Sequence, residues 1–168
     1  MLFRSCPSAN YKTRTITAPA GVLNPMNATS IVSVKYVIED INLPNYLGNP
    51  TAAGQDFNVW LKSPAGTYLK LTSPKPFNQN TSSPSGNYCY CPTFTPAGTD
   101  GTLPNVDGPY NSTNYAPEGG GLGVVFVGQN PAGTWTLYVN DNVNGQSGGT
   151  ARIKLFQMTF ETFITTYS

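Results

Sequence analysis

No histidine occurs among the 168 residues of this chain. Its absence removes the commonest general base of acyl-transfer catalysis and the usual partner of a cysteine nucleophile. Zinc loses its most frequent nitrogen ligand for the same reason. Charge is scarce as well: Asp, Glu, Lys and Arg make up 10% of the sequence, against roughly 25% in an ordinary soluble domain. The net charge of +1 provides no global field to attract nucleic acid, and none is expected as a partner. Glycoside hydrolysis needs two acids about 5–9.5 Å apart in a cleft. Of the eight acids, Glu39 and Asp40 are strand neighbours that point to opposite faces, so they cannot act as such a pair. The chain is therefore not expected to be an enzyme.

Long apolar runs are also missing. None reaches the roughly 18 residues of a membrane span, so membrane insertion is not expected. The leading segment lacks the apolar central region of a secretory signal. With Met1 retained, this points to a protein made and assembled inside the cell; the alternative is a signal left out of this chain. Three cysteines, Cys6, Cys89 and Cys91, are too few for a disulfide framework. A bond between Cys89 and Cys91, two apart on a strand, would strain the backbone. Free buried thiols are expected, with a bridge from Cys6 to one of the others as the alternative.

What the chain does have is turn chemistry between short alternating runs. It contains 17 glycines and 15 prolines, scattered between apolar stretches, which favours many turns over long helices. Val32, Val34, Tyr36 and Ile38 lie two apart, as on a half-buried strand. Phe57, Val59 and Leu61 repeat the pattern with Trp60 on the opposite face. Ser63-Pro64-Ala65-Gly66-Thr67 makes a turn, and Tyr68–Leu71 returns as the hairpin partner. Leu122–Val127, Thr134–Asn140 and Ala151–Phe163 are the closing strands. In the last of these the apolar phase slips after Leu155, the signature of a β-bulge or of a strand buried on both faces. The length suits one domain, divided into an extended basic arm over residues 1–24, with an edge strand at Thr13–Thr17, and a sandwich over residues 25–168 that carries a long loop at 72–121.

These segments, in their order, resemble the P domain (homo B domain) that follows the catalytic domain of kexin- and furin-like subtilisin proteases. The first half of the family pattern is matched by Val32–Ile38, Gly54-Gln55-Asp56-Phe57-Asn58-Val59-Trp60-Leu61 and Ser63-Pro64-Ala65-Gly66-Thr67. The second half is matched by Tyr115-Ala116-Pro117, Leu122, Phe126-Val127-Gly128, Gly133-Thr134-Trp135-Thr136-Leu137 and Asp141. The resemblance covers about residues 30–160. It departs at the inserted Gln55, at Gln146-Ser147 where the family has an acid, and at Phe156 or Phe160 where the family usually has Trp. It implies an all-β fold, a jelly-roll-like β-sandwich with galactose-binding-like architecture. The role it implies is stabilising a protease domain, which these 168 residues do not include.

The functional expectation is a non-catalytic structural subunit of a larger assembly: a virion decoration, spike or fibre-associated protein on a virion or other extracellular assembly. Its partners would be neighbouring protein subunits in a homo- or hetero-oligomer. The alternative is a secreted accessory or adhesion module that binds glycans or stabilises a subtilisin-like protease. Candidate contact residues are Arg4, Lys12 and Arg14 in the arm, Tyr88, Tyr90, Tyr110 and Tyr115 in the loop, and Phe163 and Tyr167 near the end. No organic cofactor is expected. Calcium is the one candidate metal, through Asp141, Asn142 and Asn144 with Asp56 and Asp40, since it takes six to eight oxygens. The competing reading of Asp141–Gly145 is a hairpin turn favoured by Asn-Gly.

Overall fold

The structure is a computed structural model and describes residues 12–40, 57–74, 91–104, 113–141 and 151–163. Two antiparallel sheets form a sandwich. The first has the order β1-β6-β3-β4, from Lys12–Thr17 (β1), Thr134–Asp141 (β6), Phe57–Lys62 (β3) and Tyr68–Thr72 (β4). The second has the order β5-β2-β7, from Thr93–Phe94 (β5), Ile31–Asp40 (β2) and Ala151–Phe160 (β7). The edge strand expected at Thr13–Thr17 is β1, paired along its length with β6. Within the segment expected as an arm, then, Lys12–Thr17 belongs to the sheet.

Alternation decides which side chains fill the space between the sheets. Trp135, Leu137 and Val139 of β6 point inward, as do Val59 and Leu61 of β3 and Leu69 and Leu71 of β4. They meet Val34, Tyr36, Ile38, Ile153, Phe156 and Phe160 from β2 and β7, and Phe94 from β5. Trp135 is the largest of the fully buried side chains. Its ring packs edge-on against Phe126 at 5.1 Å and tilted against Phe160 at 5.8 Å. Its indole N–H donates to the Pro131 carbonyl at 3.0 Å, so burial leaves no donor unsatisfied.

Two register shifts explain where simple alternation fails. Between Ile31 and Ser33 the β2–β7 ladder slips, placing Ile31 in the core and leaving Val32 45% exposed, against the expectation that Val32 lines the inner face. A second slip pairs Val37 with Leu155 and Ile38 with Ile153, so Lys154 is the extra residue of a bulge. This is the phase slip seen in the sequence, and it turns Leu155 outward. The bulge is fastened from the opposite sheet: Arg14 Nη1 of β1 donates to the Ile153 carbonyl at 2.8 Å and to the Lys154 carbonyl at 3.4 Å.

Leu122–Val127, expected as a strand, instead begins with a one-turn helix, α1 (Leu122–Val125). Leu122 and Phe126, four apart, are buried on one side, while Val124 and Val127 face outward, which is helical rather than two-residue periodicity. Cys91 is disulfide-bonded, not a free thiol; the other two cysteines lie outside the described residues. Among the described residues no helix is long and apolar enough to cross a membrane.

Candidate functional site

The contact between Trp135 at the start of β6 and Phe160 at the end of β7 fixes how the two sheets run against each other. Packed sheets keep their strands roughly aligned, so β6 and β7 run in opposite directions, and the sandwich has two distinct ends.

The first end gathers the start of β2, the start of β6, the end of β7 and α1. The β1–β2 connection is stitched to the segment after α1 by two backbone bonds: Met26 N–H to Gln129 O, and Gly128 N–H to Met26 O, both 2.9 Å. On its other side it is stitched to the chain after β7 by a Val22–Thr162 bridge and by Phe163 N–H to Gly21 O at 2.8 Å. Leu23 therefore lies between the Val127 turn and Phe163. This end exposes apolar side chains: Val124 is 73% exposed, Val127 and Phe163 each 51%, and Leu23 38%. Single exposed apolar residues are ordinary; here four of them belong to segments gathered at one end of the domain.

Beneath this end the β3–β4 turn is locked to the segment after α1. Ser63 N–H donates to Thr67 O and Gly66 N–H to Ser63 O, both at 2.9 Å, with Gly66 at φ 87, where a Cβ would be strained. The buried Ser63 hydroxyl donates to Gln129 Oε1 at 2.7 Å, and Gln129 Nε2 donates to Thr67 Oγ1 at 2.9 Å. Gln129→Ala leaves Ser63 buried without its acceptor and is expected to cost about 1–3 kcal/mol, read as a lower urea midpoint at unchanged slope. An unshifted midpoint would show that the clamp contributes nothing.

The second end carries Asp40, paired with Ala151, and Asp141, paired with Phe57. Two of the five candidate calcium ligands thus sit on strand ends at the same end of the sandwich, while Asp56, Asn142 and Asn144 lie outside the described residues. Among the described residues no group of three His, Cys, Asp or Glu is placed to hold a metal.

Of the candidate contact residues, Arg4, Tyr88, Tyr90, Tyr110 and Tyr167 lie outside the described residues. Lys12 is exposed on β1. Arg14 is committed to the β7 bulge. Tyr115, expected on the surface of the long loop, is instead buried in the core. Its backbone exchanges hydrogen bonds with Thr93 O and Thr95 N, which brings its ring 6.3 Å from Phe94. Phe163 is exposed as expected. Leu23, Val124 and Val127 were not among the expected contact residues; the i, i+4 spacing of Leu122 and Phe126 was the signal for the turn that exposes the two valines.

The outer face of the first sheet has a different character. Trp60, Lys62, Tyr68, Lys70 and Tyr138 share it, as the β3–β6 and β3–β4 registers require. Lys62 Nζ stands 5.3 Å from the Tyr68 ring centroid and Lys70 Nζ 5.6 Å from that of Trp60. Burial, reinforced by a hydrogen bond to Tyr68 and the nearness of that second phenol, pushes the Tyr138 hydroxyl above its ordinary value of 10.0, while Lys62 pulls it down.

Two antiparallel sheets around an aromatic core, with a turn-rich periphery, define an all-β sandwich module. The chain belongs to the proprotein convertase P-domain family, whose model matches residues 50–160. Neither curated proteins nor solved structures give a match to the chain. The P domain is a non-catalytic domain of subtilisin-like proteases, and the family points to an accessory role.

Proposed function

We propose that this chain is a non-catalytic accessory module that stabilises a subtilisin-like protease, packing against it through the apolar end formed by Leu23, Val124, Val127 and Phe163. Family membership over residues 50–160 carries this reading. The exposed side chains at that end supply apolar surface of the kind that fills the centre of a protein interface. The family favours this accessory role over the particle subunit that the charge-poor surface suggested. The disulfide at Cys91 fits a secreted or extracellular location, where such bonds persist.

The test is to add the purified chain to a subtilisin-like catalytic domain and follow the protease's half-life at elevated temperature. The wild-type chain is expected to prolong it. Val127→Asp and Phe163→Asp, both exposed and tolerable for folding, are expected to weaken the association at least tenfold. A half-life unchanged by the wild-type chain, or prolonged equally by both variants, would overturn the proposal.

A further inference from the structure

We infer that the outer face of the β1-β6-β3-β4 sheet is a binding platform for an acidic polysaccharide, a polymer of uronate or similarly carboxylated sugars. It is separate from the apolar end and does not depend on the protease reading.

The register places the groups. Residues directly opposite one another in an antiparallel pair share a face, so Thr15 lies beside Thr136, and Thr136 beside Lys62, which in turn lies beside Tyr68. One step along, Thr13, Tyr138, Trp60 and Lys70 form the next row. Two adjacent rows across four strands thus present threonine hydroxyls at the β1 side and aromatic rings with lysines at the β4 side. Thr13 and Thr15 are exposed, Thr136, Tyr138, Lys62, Tyr68 and Lys70 are half-buried, and Trp60 is buried beneath Lys70, so the accessible rings are those of Tyr68 and Tyr138. In a chain with only nine basic residues, two stand close together here. Among the residues of these strands with described side chains that face outward, none carries a carboxylate.

Three features select the ligand class. Phenol and hydroxyl groups beside aromatic rings suit sugars, whose C–H faces stack on rings while their hydroxyls bond to the polar rim. The ring faces of Tyr68 and Trp60 are already engaged by ammonium groups, so a neutral sugar would have to displace them. A carboxylate instead draws on the ammonium groups where they stand. An acidic peptide would be expected to add to a sheet edge through its main chain, yet these groups lie on the face. On the β4 side, moreover, Glu118 N–H and Gly119 N–H already bond to Leu71 O and Lys70 O.

The experiment measures binding of the full chain to polygalacturonate at low salt, with a neutral polysaccharide and polyglutamate as comparators. Wild type is expected to bind polygalacturonate in preference to both, with affinity falling as salt rises. Lys62→Ala/Lys70→Ala is expected to weaken binding about tenfold or more, with an unchanged melting temperature reporting an intact fold. Tyr138→Ala is expected to weaken binding without altering its salt dependence, which separates stacking from charge. No binding to polygalacturonate, binding unaffected by the double substitution, or equal binding of the neutral polymer would overturn the inference. Equal binding of polyglutamate would also overturn it, by reducing the face to a general anion contact.

Discussion

Replacing Trp135 by alanine is expected to lower the unfolding free energy by about 3–5 kcal/mol, the usual range for truncating a large buried aromatic residue. Single domains are stable by only about 5–15 kcal/mol, so the variant should lose a large share of its stability. The size follows from position. Trp135 is fully buried where α1, β6 and β7 converge, touching Phe126 and Phe160. The cavity left by its ring is walled by two strands fixed in their ladders, so it collapses only in part. Trp135→Phe separates the contributions: it keeps most of the packing but leaves the Pro131 carbonyl without the indole donor, and should cost less than the alanine variant. Denaturant unfolding followed by far-ultraviolet circular dichroism gives both values. A loss under about 1 kcal/mol for Trp135→Ala would mean that the core is not centred on this residue.

The second large effect carries a sign opposite to the general rule. Glycine to alanine within a helix ordinarily gains up to about 1 kcal/mol, yet Gly123→Ala in α1 is expected to cost about 1–3 kcal/mol. A Cβ at Gly123 would lie 2.6 Å from the Ala28 carbonyl oxygen and 3.2 Å from Pro96 Cβ, and the nearer atom is backbone that cannot swing aside. The helix would have to separate from the β1–β2 connection, which holds the same end of the sandwich together. Gly121→Ala is the control: its Cβ would meet Val124 Cγ2 at 3.6 Å, an ordinary contact, and its φ of −66 suits any residue. That variant should be neutral or slightly stabilising through its less flexible unfolded chain. Equal losses at Gly121 and Gly123 would remove close approach as the cause. A loss of protease stabilisation by Gly123→Ala at temperatures where it stays folded would tie the position of α1 to docking.

The strands that carry strict two-residue alternation were readable from sequence. Trp135, Leu137 and Val139, the Ser63–Thr67 turn and its returning strand, and the slip in β7 are each local signals, set by residues next to one another. The features that escaped depend on distant partners. Val32 is turned out by a shift against β7, more than 120 residues further along the chain in register terms. The run Leu122–Val127 is too short for its apolar content to separate strand from helix. Tyr115 is buried because Phe94 lies beside it, and Cys91 is bonded in a disulfide where a free thiol was the expectation. The candidate site follows the same division. Phe163 was singled out as part of the C-terminal contact region, though within a last strand that in the structure ends at Phe160, whereas Val124 and Val127 became visible only once α1 was known to be helical. The rows on the outer sheet face needed the strand order, which places β6 between β1 and β3.

The bond from Arg14 to the β7 bulge spans 139 residues of sequence, and the pairing of β1 with β6 spans nearly as many. Both sheets are therefore closed by strands from the last part of the chain, and among the described strands only β3 and β4 pair as a hairpin of sequence neighbours. Such a topology folds slowly, because long loops must close before their contacts compensate. During synthesis β1 must wait, unpaired, until β6 has emerged, and β2 has only the two-residue β5 to pair with until β7 follows. Fragments that stop before residue 134 should accumulate as aggregates rather than as partly folded domains.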